Sequence, residues 1–307
     1  MSYKESNEMD DMLNRDGLLR ISLMGGAARA FLMETTVMVE QARKLHNLSK
    51  TATAALGRTL TAASAMGAML KGDKESVTAS IQGDGPLGTV LAVAKADASV
   101  KGYVANPQVE VPRRGNKLDV GTAVGKTGKL TVVKDLRLKD PYVGQVNLVS
   151  GEIAEDFAMY FTASEQVPSL VSLGVLVSST VEAAGGLIVQ MMPGAGEAEI
   201  QSVENSAGMF MNISSVIQQD HLYGALEQLL MHLEPEVMEE MHPQYRCDCS
   251  RERVEKMLIT LGEAELKDMI RTQHGAEVDC HFCNKRYRFA EQDLFQLLQS
   301  ATNLEDA

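Results

Sequence analysis

Long apolar runs are missing from this 307-residue sequence: 45% of it is hydrophobic, yet nowhere do 18 or more apolar residues follow one another. No segment therefore reads as a membrane span. Positive charge is also short, with 29 Lys and Arg against 41 Asp and Glu, a formal charge of −12. Gripping a phosphate backbone takes clustered cations, so nucleic acid is not expected as the primary partner. The opening residues, MSYKESNEMDDMLNRDG, have neither the basic stretch nor the apolar core of a signal peptide. No internal repeat or low-complexity tract is evident. The balance excludes collagen and a wholly disordered chain. It suits a soluble, cytoplasmic protein long enough for a core and two domains.

Cysteine is scarce too, and its placement is the sharpest feature. All four, Cys247, Cys249, Cys280 and Cys283, lie after residue 246. Random placement would do this about once in six hundred. A small, even and clustered set in a cytosolic chain points to metal or redox chemistry, not to a disulfide framework. The spacing is C-x-C, then thirty residues, then C-x-x-C. Two short pairs joined by a folded insert supply the four soft ligands that a tetrahedral Zn²⁺ prefers, so one zinc per chain is expected. Iron would fit the same thiolates, but no other redox signature accompanies them. His242, His274 and His281 are read as bystanders. Arg246, Arg251, Arg253, Lys285, Arg286 and Arg288 flank the cysteines. Such cations favour thiolate, the form that oxidants attack; the plainer reading is a basic surface that offsets the cluster charge.

Energies separate a switch from a staple. A structural zinc contributes on the order of 10–16 kcal/mol of apparent binding energy to a small module. A disulfide between neighbouring cysteines closes a loop of three or four residues and is worth only about 1.5–2 kcal/mol. Local disulfides would also leave the two halves unjoined. Four cysteines allow three connectivities. Given local pairing, oxidation is expected to eject the metal and unfold a module of this size.

Along the chain, 27–46 and 49–70 read as helices, with Ser49 as N-cap of the second. From Ser76, short β-rich runs alternate with Gly, Pro, Asp and Asn. Residues 151–176 return to a helical tendency broken at Pro168, and 177–193 read as strand with a Gly-Gly turn. Helices and strands in blocks favour an α+β core. After Pro193-Gly194-Ala195-Gly196 the chain turns acidic, Met-rich and mostly helical, with breaks at Pro235 and Pro243. Leu222, Leu226, Leu229, Leu230, Leu233, Val237 and Met241 fall near one helical face.

Two motifs are set aside. Gly83-Asp84-Gly85-Pro86-Leu87-Gly88 matches the dinucleotide-loop pattern, with Glu110 downstream, but a strand follows where a helix should begin, so a hairpin turn is expected. His232-Leu233-Glu234 with Cys280-His281-Phe282-Cys283 has the outline of a zinc deaminase. That reading leaves Cys247 and Cys249 without a role. Four cysteine ligands would also close the metal shell, so catalysis is not expected.

Arg246-Cys247-Asp248-Cys249-Ser250-Arg251-Glu252-Arg253 and Cys280-His281-Phe282-Cys283-Asn284-Lys285-Arg286-Tyr287-Arg288-Phe289 closely resemble the redox-regulated 33 kDa heat-shock chaperone family of bacteria. So do residues 261–270, 83–88 and 185–195. The resemblance covers essentially the whole chain, apart from a variable extension of the first 15 or so residues. It implies an ATP-independent holdase, not an enzyme, with one zinc on Cys247, Cys249, Cys280 and Cys283 in the reduced, inactive state. It further implies that oxidants form Cys247–Cys249 and Cys280–Cys283 disulfides, that zinc is released, and that the last module and the preceding linker unfold. The active form would bind unfolding client proteins as a homodimer. The expected organisation is an α+β core at 1–193, a helical metastable linker at 194–245 and a zinc-binding redox switch at 246–307. The alternative is a zinc-ribbon binding module with constitutive structural zinc.

Overall fold

The chain divides between Arg246 and Cys247 into two compact units. The computed structural model describes residues 16–305, with side chains to residue 299. The expected N-terminal extension lies outside the described residues.

The first unit opens with β1 (Gly17–Leu23) and β2 (Ala28–Glu34), an antiparallel hairpin, then α1 (Thr36–His46) and α2 (Lys50–Ala68). The stretch 27–46, expected as one helix, is thus half strand. Its first part buries alternate residues on opposite sides, Phe31 and Met33 in one cluster and Ala30 and Leu32 in another. That period of two outweighs the helix-like composition. Helix α2 begins as expected, with Ser49 Oγ accepting the Ala52 N–H at 3.0 Å. Almost every side chain of α2 is buried, because sheets cover it on two sides. Its Ala, Thr and Gly residues let both approach closely.

The chain continues through β3 (Ser76–Gly83), β4 (Val90–Lys95), β5 (Ser99–Val104), α3 (Val120–Val124), β6 (Gly128–Asp135) and β7 (Tyr142–Asn147). The glycine motif at 83–88 is the β3–β4 connection of an antiparallel pair. A Cβ on Gly83 would stand 2.1 Å from the Val124 carbonyl oxygen, so the glycine admits a neighbouring backbone. Next come α4 (Ala154–Ala163), β8 (Ser169–Val177) and β9 (Val181–Met191). The helical tendency over 151–176 therefore ends at Ala163, and a strand follows Pro168. Strand β9 runs straight through Gly185-Gly186, where a turn was expected. A Cβ on Gly185 would lie 2.4 Å from the Met33 carbonyl oxygen across the ladder, so small size serves close strand approach.

Helices α5 (Glu197–Phe210) and α6 (Ile213–Leu230) lead to β10 (Glu236–Met241) and β11 (Gln244–Tyr245). One sheet has the order β10-β1-β2-β9-β8, the other β11-β5-β4-β3-β6-β7. Helices α1 and α2 pack on one face of the five-stranded sheet and α6 on the other, while α2 also backs the second sheet. The fold class is α+β. The leucine stripe is buried: Leu222, Leu226, Leu229, Leu230 and Leu233 join Phe210 and Ile217 against the sheet. Val237 and Met241 leave that helical face. After Pro235 the chain forms an edge strand, pairing antiparallel with β1.

The second unit comprises α7 (Arg251–Thr260), α8 (Glu263–Asp268), one π-helical turn (Met269–Gln273), the hairpin β12 (Gly275–Asp279) and β13 (Arg286–Ala290), and α9 (Glu291–Glu305). Its core is small, built around Leu258, Leu266, Phe289 and Leu294. Among the described residues no helix is long and apolar enough to cross a membrane.

Candidate metal centre

Each cysteine pair is held by its own local structure. Cys247 and Cys249 lie in the irregular stretch between β11 and α7. Ser250 ends that stretch as N-cap of α7, its Oγ accepting the Arg253 N–H at 3.3 Å. Cys280 and Cys283 occupy the turn between β12 and β13. There the Cys280 carbonyl accepts the N–H groups of Cys283 at 3.2 Å and Asn284 at 2.7 Å, and the Cys280 N–H donates to the Lys285 carbonyl at 3.0 Å. Asn284 sits at φ 54°, a left-handed conformation that Asn tolerates well.

The two stretches bring all four sulfurs together, within 4.8 Å of one another. The Cys249–Cys283 Sγ distance is 3.3 Å and the Cys247–Cys280 distance 3.7 Å. Four thiolates around one ion at about 2.3 Å would stand about 3.8 Å apart, so the spacing suits a single tetrahedral ion. Every donor is sulfur, which selects a soft or borderline metal. All four side chains are half-buried. Cys249 and Cys280 rest against the unit's small core.

Burial pushes the Cys247 thiol up and, joined by the neighbouring thiols Cys249 and Cys280, brings Cys283 to about 11. Burial also raises Cys249, but hydrogen bonds from Tyr287 and the other three sulfurs outweigh it and bring that thiol down to about 7. The Tyr287 hydroxyl donates to Cys249 Sγ at 3.1 Å. Sequence reasoning gave Tyr287 no role. Its only signal was the alternation Tyr287, Phe289 on β13, which turns both rings inward.

The flanking cations are largely committed. Arg253 pairs with Asp248 at 2.6 Å, Arg286 with Asp279 at 2.7 Å and Arg288 with Glu277 at 2.8 Å. Arg251 pairs with Glu255 at 3.1 Å and Asp293 at 2.9 Å, and its guanidinium lies 4.3 Å from the Phe289 ring centre. Arg246, in the first unit, pairs with Asp97. Lys285 lies over the Tyr287 ring at 5.1 Å. Among the described residues no histidine joins the sulfur cluster. His242 Nδ1 faces the Asp16 carbonyl at 3.3 Å, and His274 Nδ1 lies 3.6 Å from Glu291. His232 bonds Ser206 Oγ at 2.6 Å, so the deaminase outline has no counterpart in the cluster.

The chain is similar to known proteins over most of its length. The family model described as "Hsp33 protein" matches residues 16–290. The chain is 46% identical over 285 residues to the 33 kDa chaperonin of Alkaliphilus metalliredigens, across 92% of this chain and 98% of that one. It is 46% identical over 288 residues to the 33 kDa chaperonin of Clostridioides difficile, across 93% and 99%. The crystal structure of the 33 kDa chaperonin (heat shock protein 33 homolog) from Thermotoga maritima superposes with a TM-score of 0.85 at 38% identity, across 94% of this chain and 100% of that one.

Proposed function

The chain belongs to the Hsp33 chaperone family, and from that premise we propose that it is a redox-switched, ATP-independent holdase. In this reading it is a binding protein, not an enzyme, and it acts in the cytoplasm on unfolding client proteins. The observation that carries the reading is the convergence of four cysteine sulfurs from two separate stretches within 4.8 Å. In the reduced state Cys247, Cys249, Cys280 and Cys283 hold one zinc. When bound, the ion supplies a cross-link between the stretch before α7 and the β12–β13 turn, and no catalytic chemistry.

Oxidation forms a disulfide within each pair, Cys247–Cys249 and Cys280–Cys283. With hypochlorite, two thiols lose two electrons and two protons; one S–S bond forms, the Cl–O bond breaks, and chloride and water are the products. Each pair then ceases to be a ligand set, and the metal is released. The small core of the second unit is left without its cross-link. The chain before it, 194–245, follows directly through Arg246. That segment carries the buried apolar stripe of α5 and α6, a surface suited to unfolded chains once uncovered. Its methionines make such contacts adaptable. The active form is a homodimer. The domain limits carried forward are 1–193, 194–245 and 246–307.

Two close sulfur contacts run across the pairs, Cys249 to Cys283 and Cys247 to Cys280. Cross-paired disulfides would keep the two stretches joined, so connectivity decides whether oxidation releases the module. The alternative, a zinc ribbon contacting nucleic acid through its basic flanks, finds those cations paired with carboxylates. The test is a hypochlorite titration of reduced, zinc-loaded protein. Metal release, client aggregation and disulfide-linked peptides are followed in the same samples. Metal release and client protection should rise together, with local disulfides. Protection with metal retained and thiols reduced would overturn the proposal.

A further inference from the structure

Arg20, Arg29 and Phe31 share one side of the β1–β2 hairpin. Arg20 is directly opposite Phe31 in the ladder, and Arg29 precedes Phe31 by two residues on the same strand. The guanidinium carbons lie 5.9 and 5.8 Å from the Phe31 ring centre. Together they border a groove of about 600 Å³, within the size range of small-molecule sites. All of its lining belongs to the first unit.

The cations are held in place yet incompletely satisfied. Gln190, fully buried and opposite Arg29 on β9, accepts the Arg29 Nε–H at 3.0 Å. Gln190 in turn donates to Ser169 Oγ at 3.0 Å. This relay fixes the Arg29 guanidinium while its two outer nitrogens have no acceptor among the described residues. Arg20 pairs with Glu239 at 3.0 Å and donates to the Ala68 carbonyl at the end of α2. Its Nε is buried with no partner, a costly state for a donor. The Lys71 ammonium, also on the groove, has no carboxylate partner among the described residues.

Charge and shape then define the ligand. Arg20, Arg29 and Lys71 face Asp73 and Glu239 on the lining, an excess of one positive charge on a chain of net charge −12. A single excess charge suits a monoanion better than a phosphate dianion. Apart from Ser22, the other side chains of the wall are apolar, among them Leu70, Met69, Met192 and Met238, which suits an aliphatic body. We propose that this groove binds an aliphatic carboxylate, its head received by Arg29 and Lys71 and its chain lying along the wall of Leu70 and the methionines. The proposal is independent of the redox reading.

Calorimetric titration of the reduced full-length protein tests it, with sodium decanoate, decyltrimethylammonium and inorganic phosphate as probes. Decanoate should bind saturably at one per chain and more tightly than the other two. Arg29→Gln should weaken decanoate about tenfold, with the far-ultraviolet circular dichroism unchanged. Lys71→Gln, at an exposed position that carries no packing, should weaken it as well. The proposal is overturned if decanoate shows no saturable binding, if the cationic amphiphile matches it, if phosphate binds more tightly, or if both folded variants keep full affinity.

Discussion

The unit ending at Arg246 buries two large apolar clusters, one on each face of its five-stranded sheet, whereas the unit after it buries, among the described residues, a single cluster of seven side chains beside four sulfurs. In the first unit, stability is distributed over dozens of contacts, and no chemical event at one group ends it. In the second, a core near the lower limit for independent folding stands next to four sulfurs which, holding zinc as proposed, would add a contribution comparable to the core's own. If the proposed switch operates, concentrating stability in four oxidisable atoms makes that domain conditional. Distributing it keeps the rest of the chain folded while that condition changes.

The largest expected effect breaks the comparison at its sharpest point. Cys280→Ser would remove one of the four proposed ligands and with it a large share of an apparent binding energy of about 10–16 kcal/mol. Hydrogen exchange of the metal-treated variant should show protection lost over residues 247–299 and kept over β1 to β5. Chelation of the wild type should give the same pattern. Were both units to lose protection together, stability would not be partitioned as the two cores suggest. A second unit that stayed protected without metal would show its apolar cluster to be sufficient.

That partition explains how much was legible in the sequence. The cysteine cluster was readable because a metal site would fix both residue type and spacing, and the four sulfurs do meet. Helix α2 was readable from its cap and composition. Strand β2 was not, since Ala28–Glu34 is as rich in Ala, Leu and Met as a helix, and only its neighbours β1 and β9 make it a strand. Strand β10 depends likewise on a partner more than 200 residues earlier, Leu18 with Met241. The Arg20–Phe31–Arg29 row is a product of register, invisible until the hairpin is paired. Tyr287 acquires meaning only from the sulfur it touches.

A smaller effect shows that the first unit has its own titrating point, of opposite character. Asp16 is buried at the start of α1, accepting the N–H groups of Val37 at 2.9 Å and Met38 at 2.6 Å. Burial raises its carboxyl to about 7, against the pull of those two bonds and with Glu34 adding to the rise. A carboxyl whose folded pKa exceeds its unfolded value binds its proton more tightly in the folded state. Its contribution to stability is therefore full below about pH 4, is lost as pH rises towards 7, and is flat above. At up to about 1.4 kcal/mol per pH unit, and less as the folded pKa is approached, the loss between pH 5 and 7 is about 2 kcal/mol. Urea unfolding of the first unit across that range should record the fall, and Asp16→Asn should flatten it. Stability that rises with pH instead would show the helix N–H groups prevailing over burial and Asp16 ionised.

The smallest effect sharpens the comparison most finely, because it separates sulfur chemistry from packing within one residue. The Tyr287 ring belongs to the apolar cluster of the second unit, while its hydroxyl donates to Cys249 Sγ at 3.1 Å. Tyr287→Phe keeps the ring and removes only that donor. A hydrogen bond to a ligand atom is worth about 1 kcal/mol, and groups that hold metal ligands in place typically change metal affinity by about tenfold or more. Competition with a chelator should therefore show the variant holding zinc about tenfold more weakly, with hydrogen exchange in the first unit unchanged. Tyr287→Ala, which also takes away the ring, should loosen the metal-loaded unit further. An unchanged affinity in the Phe variant would assign Tyr287 to packing alone. The stability of the second unit would then rest less on its sulfurs, and more on its seven-residue core, than the contrast with the first unit requires.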